Sequence, residues 1–199
     1  MSGVEIEVKI RVTSLEGLVE RLNLIGASEI QTRKFEDNLL LDFEDKRLKQ
    51  GGRLIRLRRF GEQQLLTFKG PASHEGNIKS RVEIELEVGS FERMQQVLGE
   101  LGLRPAFRYQ KYRTVYAYQK SVSRANIDQA TGPEQANLHI MVDETPIGVF
   151  VELEGSVPLI HEAAERLGFR QGDYITSTYY QLQEDYCRQY GRPFGDMVF

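Results

Sequence analysis

Three segments of the sequence carry carboxylates at every second position. Residues 4–12, 80–88 and 150–154 alternate charged and apolar residues. Successive side chains of a β-strand point to opposite faces, so each run places its charges on one face. The carboxylates placed in this way are Glu5, Glu7, Glu83, Glu85, Glu152 and Glu154. Because carboxylate oxygens are preferred ligands of hard cations, these faces predict a site for Mg²⁺ or Mn²⁺.

Basic residues follow the same alternation in other segments of the chain. The residues that share this pattern are Lys9, Arg56, Arg58, Lys69, Arg81, Lys111 and Arg113. Asp143 lies on a further strand-like segment in the same phase. Guanidinium groups bind phosphate oxygens in pairs, and ammonium groups add point charge. The sequence therefore predicts two zones, with carboxylates for a divalent cation and basic residues for a polyphosphate.

These charged faces need strands that bring them together. Besides the charged runs, strands are predicted over residues 35–43, 53–60, 64–69, 107–118, 138–143 and 148–154. Apolar residues recur at helical spacing after Ser14, after Ser90, and over residues 159–167 and 177–190. About eight antiparallel strands with one charged face each favour a closed barrel, with charges inside and amphipathic helices outside. The predicted fold is α+β, an eight-stranded antiparallel tunnel with a charged interior.

One unit, a strand followed by a helix, occurs twice at a fixed offset. Ser14 before the first helix matches Ser90 before the second, and Gly26 after the first matches Gly102 after the second. The chain is therefore predicted to be one domain over residues 1–199 with an internal duplication. Residues 71–79 are predicted to be a polar loop, and residues 120–137 a flexible insertion.

Composition restricts the class of protein. Of 199 residues, 40% are hydrophobic and 28% charged, which is typical of a soluble globular protein. The net charge of -3 argues against a nucleic-acid partner, and no apolar run approaches the about 18 residues of a membrane span. The first residues already form a strand, so no secretory signal is expected. Since Cys187 is the only cysteine, no internal disulfide is expected, and a cytoplasmic location is predicted.

The motifs resemble those of the CYTH superfamily, the triphosphate tunnel metalloenzymes. The segment E-I-E-V-K at residues 5–9 resembles the family's ExExK signature. It is followed by R-L-R, T-F-K-G, R-V-E-I-E, K-Y-R, V-D-E and V-E-L-E-G, in the family's order. Three alternating charges in one strand are weak evidence, whereas seven elements in order are specific. The resemblance implies an eight-stranded tunnel that binds a triphosphate and one or two divalent ions.

The resemblance also implies roles for individual residues. Phosphates would be held by Lys9, Arg56, Arg58, Lys69, Arg81, Lys111 and Arg113. Divalent ions would be held by Glu5, Glu7, Asp143, Glu152 and Glu154. Glu83 and Glu85 would bind a second metal or orient the basic residues. Catalysis is expected to depend on Glu152, Glu154 and Lys111.

The resemblance is closest to the bacterial class IV adenylate cyclase branch, which converts ATP into cyclic AMP and pyrophosphate. Hydrolysis of inorganic tripolyphosphate, thiamine triphosphate or a nucleoside triphosphate is the alternative reaction. The segment K-F-E-D-N-L-L-L-D departs from the histidine-phenylalanine start of some cyclases, and no stretch predicts an adenine pocket. Two further alternatives are a non-catalytic module that binds polyphosphate or nucleotide, and a plain barrel with a solvated charged face. The resemblance also allows a homodimer.

Overall fold

The computed structural model describes residues 2–119 and 137–199. Its strands are β1 (Ser2–Val12), β2 (Ser28–Asp42), β3 (Leu54–Phe60), β4 (Gln63–Lys69), β5 (Ser73–Glu75), β6 (Ile78–Glu87), β7 (Arg104–Gln119), β8 (Asn137–Thr145), β9 (Gly148–Glu154) and β10 (Tyr174–Ile175). Its helices are α1 (Leu15–Leu24), α2 (Arg47–Gln50), α3 (Phe91–Glu100), α4 (Val157–Arg166) and α5 (Tyr179–Gln189). Within these residues no helix is long and apolar enough to cross a bilayer.

Eight of the strands close into a ring. Their order is β1, β9, β8, β7, β2, β3, β4 and β6, and β1 closes the ring by pairing with β6. Every one of these pairings is antiparallel. The first half of β1 pairs with β6 and the second half with β9, so β1 joins the two edges. The predicted eight-stranded antiparallel barrel is confirmed.

The alternation along each strand separates an apolar outer layer from the charged interior. Val8 and Ile10 of β1 point outward and belong to one buried cluster with Leu18 of α1 and Ile160 of α4. On the other side of the barrel, α2 and α3 contribute to a second cluster with the outer face of β3. Each fully buried aliphatic side chain of these layers stabilises the fold by about 1.5–3 kcal/mol. The helices therefore cover the outside, as predicted, and the charged faces turn inward.

The two matched strand–helix units have the same ends. The hydroxyl of Ser14 accepts a hydrogen bond from the backbone of α1, and Ser90 does the same for α3. Gly26 (φ 80°) and Gly102 (φ 92°) follow the two helices in the left-handed region, which glycine adopts without steric cost. Shared caps of this kind agree with an internal duplication, which stays a prediction.

The C-terminal part of the chain packs against β7. Beyond α5, Met197 forms a parallel bridge with Tyr109, and its backbone exchanges hydrogen bonds with Arg108 and Gln110. Phe107 of β7 stacks on Phe194, with ring centroids 5.8 Å apart. These contacts hold α5 against the barrel, where its first residues reach the tunnel.

Two connections between strands were predicted to be irregular. The polar loop predicted at 71–79 is wrong in part, because β5 pairs there with the start of β6 across the Gly76–Asn77 turn. Gly76 has φ 58°, a left-handed conformation that permits this tight turn and that the composition of the segment did not reveal. The predicted insertion at 120–137 lies outside the described residues except for Asn137, which begins β8.

Candidate active site in the charged tunnel

The barrel encloses a cavity of about 490 Å³. More basic side chains than carboxylates face it. The charged residues of its wall are Glu5, Glu7, Lys9, Arg56, Arg58, Lys69, Lys79, Arg81, Glu83, Glu85, Lys111, Arg113, Glu152 and Glu154. The structure thus brings together every site residue predicted from the sequence except Asp143, which is fully buried directly behind the wall. Lys79 was missed, although it shares the phase of Arg81.

Asp143 of β8 anchors two of the basic residues. One of its carboxylate oxygens lies 2.7 Å from Nζ of Lys111, and Arg113 donates to both oxygens at 2.6 Å. The hydroxyl of Tyr179 donates to the same carboxylate at 2.6 Å. Asp143 is therefore occupied by cations and a phenol, and its predicted role as a metal ligand would require some of these contacts to open.

Tyr179 is the first residue of α5 and a part of the tunnel wall that the sequence did not predict. Its ring centroid lies 4.5 Å from Nζ of Lys9 and 5.1 Å from Nζ of Lys111. The side chain of Thr178 caps α5 and accepts a hydrogen bond from the backbone N–H of Gln181. Burial and the neighbouring Asp143 raise the pKa of Tyr179 well above its usual range, so the phenol remains a donor. An aromatic face between two ammonium groups stabilises their positions.

Glu152 of β9 is held as a carboxylate by two cations. Nζ of Lys9 lies 2.8 Å from Oε1, and Arg113 donates to Oε2. Burial opposes the charge, but Lys9 and Arg113 hold the pKa of Glu152 well below its usual range. Glu152 is therefore ionised at neutral pH.

Arg56 and Arg58 of β3 are held by neutral groups as well as by charge. Arg56 donates to the hydroxyl of Tyr109 at 3.3 Å and to that of Thr67 at 3.2 Å. Arg58 donates through Nε to Oδ1 of Asn38 at 3.2 Å. Neutral acceptors fix a guanidinium without cancelling its charge, and the carboxylates of Glu83 and Glu85 lie farther from Arg56, at 3.7 and 3.5 Å.

The carboxylates of β1 pair with lysines and arginines of β4 and β6. Nζ of Lys69 lies 2.7 Å from Glu5 and 2.8 Å from Glu83. Nζ of Lys79 lies 2.7 Å from Glu7. The predicted zones of carboxylates and basic residues therefore interpenetrate, because the cross-strand register sets Arg81 opposite Glu5 and Lys79 opposite Glu7.

Glu154 differs from the other carboxylates that line the tunnel in its lack of an ion pair with the described residues. It lies opposite Glu7 across the β1–β9 pair, and none of the basic residues that the structure describes forms an ion pair with it. Burial, reinforced by the charges of Glu5 and Glu7, raises the pKa of Glu154 to about 7. A cation bound beside Glu154 would offset the repulsion between its carboxylate and those of Glu5 and Glu7.

The donor set near Glu154 fits a divalent cation by its chemistry. Carboxylate oxygens, with no thiolate or imidazole among them, are the ligands that Mg²⁺ and Mn²⁺ prefer. As the described side chains are placed, no three carboxylate, histidine or cysteine groups converge on one point. Glu5 pairs with Lys69 and Glu7 with Lys79, so these carboxylates would have to turn from their lysines to hold a metal together with Glu154.

A known protein family matches most of the chain. Residues 3–179 match the CYTH domain. A protein of Methanocaldococcus jannaschii named "Putative adenylate cyclase" is 27% identical over 159 residues, which cover 80% of this chain and 81% of that protein.

Several solved structures share the fold. A "putative adenylate cyclase" of Vibrio parahaemolyticus superposes with a TM-score of 0.73 at 16% identity, covering 92% of this chain and 99% of that one. A conserved hypothetical protein of Pyrococcus furiosus gives 0.66 at 24% identity, covering 89% and 99%. A Hippeastrum "putative adenylyl cyclase", described as having a dominant triphosphatase activity, gives 0.61 at 16% identity, covering 95% and 97%. At these identities the likeness shows the fold alone.

Proposed function

The chain belongs to the CYTH domain family, and on that premise we propose that it is a divalent-metal-dependent enzyme acting on a triphosphate held in the tunnel. The observation that carries the proposal is the cavity of about 490 Å³ whose wall holds Lys9, Arg56, Arg58, Lys111 and Arg113 together. Buried cations of this kind bind phosphate oxygens through charge-assisted hydrogen bonds. The carboxylates interspersed among these cations would supply the oxygen donors for Mg²⁺ or Mn²⁺.

The favoured reaction is that of a class IV adenylate cyclase. In this reaction the ribose 3'-hydroxyl of ATP attacks the α-phosphorus, and pyrophosphate leaves. The name of the Methanocaldococcus jannaschii relative supports this choice. Hydrolysis of the terminal phosphate is the alternative. It is favoured by the segment K-F-E-D-N-L-L-L-D of β2, which departs from the histidine-phenylalanine start of some cyclases.

The basic residues and the carboxylates of the tunnel would have different roles in either reaction. Lys9, Arg56, Arg58, Lys69, Arg81, Lys111 and Arg113 would bind and orient the phosphate chain. Glu5, Glu7, Glu83, Glu85, Asp143, Glu152 and Glu154 would hold one or two divalent ions. Such an ion neutralises phosphate charge and aligns the attacking oxygen with phosphorus.

Three residues have the most direct part in the chemistry. Glu152 stays ionised and would hold the metal. Glu154 has a pKa of about 7 in the tunnel without a metal, and where it does not hold the ion it would accept the proton of the attacking hydroxyl or water at a carboxylate oxygen. Lys111, which is 2% exposed, would place its charge against the phosphate that departs.

The experiment is a product analysis. The purified chain is incubated with ATP or with tripolyphosphate in Mg²⁺, in Mn²⁺ and in EDTA, and the products are resolved by chromatography. Cyclic AMP with pyrophosphate would establish the cyclase, and orthophosphate without cyclic AMP the triphosphatase. Absence of turnover with tight triphosphate binding would overturn the catalytic proposal and indicate a sensor.

A matched pair of variants tests the site. Glu152→Gln should abolish metal-dependent turnover with the fold intact, because it removes a charge from the metal and frees Lys9. Glu144→Gln is the control, since Glu144 of β8 pairs outside the tunnel with Arg33 at 2.7 Å. Retained turnover in Glu152→Gln would contradict the assignment. A homodimer and the exclusion of nucleic acid stay predictions.

A further inference from the structure

One carboxylate of β2 is buried behind the basic wall of the tunnel. Glu36 is 0% exposed and does not face the cavity itself. Its carboxylate lies 3.5 Å from Nζ of Lys111, 3.7 Å from Arg58 and 3.8 Å from Arg113. A single negative charge is thus shared by three cations that come from two different strands, β3 and β7.

Asn38 completes this arrangement from the same strand face. Its Nδ2 donates to Oε2 of Glu36 at 3.3 Å, while its Oδ1 accepts the hydrogen bond from Arg58. Asn38 is also 0% exposed. The amide therefore fixes one oxygen of the carboxylate and one nitrogen of the guanidinium at the same time.

The other oxygen, Oε1 of Glu36, is buried and has no hydrogen-bond partner in the described part of the chain. Its nearest charges are Arg58 and Arg113, at distances beyond a hydrogen bond. Glu36 therefore acts on these guanidinium groups through its charge and leaves their N–H donors for other acceptors. Burial opposes that charge, but Arg58 and Lys111 hold the pKa of Glu36 well below its usual range, so it stays ionised.

A buried anion in this position has two physical consequences. It offsets the mutual repulsion of Arg58, Lys111 and Arg113 when the tunnel holds no anion. It adds to the negative charge of Asp143 and Glu152 around Lys111 and Arg113, so its removal would leave the wall with more positive charge. Asp143 holds Lys111 and Arg113 from β8, and Glu36 holds them from β2, which restricts both side chains from two directions.

We propose that Glu36 is a positioning residue that sets the spacing of Arg58, Lys111 and Arg113 for the phosphate chain. The inference rests on the proposed function, since it assigns the three cations to a bound triphosphate. Glu36 is separated from the cavity by those cations and touches neither substrate nor metal. Its contribution is alignment, and a displacement of about 1 Å in such groups is enough to slow a reaction many-fold.

The test is Glu36→Gln, with Asp37→Asn as the matched control. Asp37 is the next residue of β2 and faces outward, where Arg108 donates to it at 2.8 Å. Steady-state kinetics with the metal and substrate that the wild type turns over give kcat and KM. Calorimetry with tripolyphosphate gives affinity, and thermal melts give Tm with and without tripolyphosphate.

Glu36→Gln should lower kcat at least about tenfold while tripolyphosphate affinity stays within about twofold or increases, because alignment is lost and positive charge is gained. Its Tm without ligand should fall, and tripolyphosphate should raise that Tm by more than in the wild type. Asp37→Asn should leave kcat and the tripolyphosphate shift unchanged. An unchanged kcat in Glu36→Gln would overturn the proposal, and so would an equal loss of kcat and affinity.

Glu36→Asp keeps the inference testable if the glutamine variant fails to fold. The charge remains but is withdrawn by one methylene, so kcat should fall while affinity is retained, and a wild-type kcat would overturn the proposal. If the wild type turns over no triphosphate, the catalytic proposal fails by itself. The inference about Glu36 is then decided by the tripolyphosphate-linked Tm of the Glu36 and Asp37 variants alone.

Discussion

The burial of Glu154 and its repulsion by Glu5 and Glu7 predict a specific pH dependence of stability. In the folded chain Glu154 keeps its proton up to about pH 7, whereas its ordinary pKa is 4.5. Between these values the folded state binds more protons than the unfolded state, so the free energy of unfolding falls as pH rises. About 2.5 pH units at about 1.4 kcal/mol each give a loss on the order of 3 kcal/mol, complete above about pH 7.

Glu154→Gln removes this loss because the amide carries no charge at any pH. Near pH 4.5 the variant and the wild type should unfold with about equal free energies. Above about pH 7 the variant should be the more stable by an amount on the order of 3 kcal/mol. The difference between the two curves cancels the titration of all groups that they share.

The measurement is urea unfolding followed by circular dichroism between about pH 4.5 and pH 8.5, in EDTA. Glu62→Gln, in the exposed β3–β4 turn, reports the effect of the same exchange away from the tunnel. A flat difference curve for Glu154→Gln, or a variant that loses stability as pH rises, would refute the reasoning. Added Mg²⁺ should stabilise the wild type most above pH 7, where Glu154 is ionised.

Two further predictions concern the core and the tunnel wall. Ile160→Ala should lower the free energy of unfolding by about 2–5 kcal/mol, because Ile160 is fully buried between α4 and the barrel. Urea unfolding measures this change, and a loss below about 1 kcal/mol would contradict the packing. Tyr179→Phe removes the donor to Asp143 and should cost about 1–3 kcal/mol in the same assay, since the buried carboxylate loses a partner. An unchanged stability would show that this hydrogen bond contributes nothing.

The alternation of charges explains why so much of the barrel could be predicted from the sequence. A charge at every second position requires one common face, and several such strands require a closed sheet if the charges are to be paired. The predicted wall residues Lys9, Arg56, Lys111 and Glu152 therefore meet in one cavity. This inference depends only on periodicity, which the sequence displays directly.

Residues outside that periodic pattern were missed for physical reasons. Glu36 lies ahead of the apolar run 39–41, where strict alternation fails, so its phase was obscured. Its partners in β3 and β7 are remote in sequence, and only the barrel register brings them near. Tyr179 was missed because the sequence does not show where α5 packs, and its contacts with Tyr109 and Phe150 join residues that are remote in sequence. Tertiary placement of this kind leaves no local signal.

Titration calorimetry with tripolyphosphate tests the central claim, that the basic wall of the tunnel binds a triphosphate. The account predicts about one tripolyphosphate bound per chain, and a loss of affinity of at least about tenfold in Arg56→Met, because Arg56 lines the cavity. Arg93→Met, on the exposed face of α3, should bind as the wild type does. Absence of binding by the wild type, or equal affinity in Arg56→Met, would contradict the account.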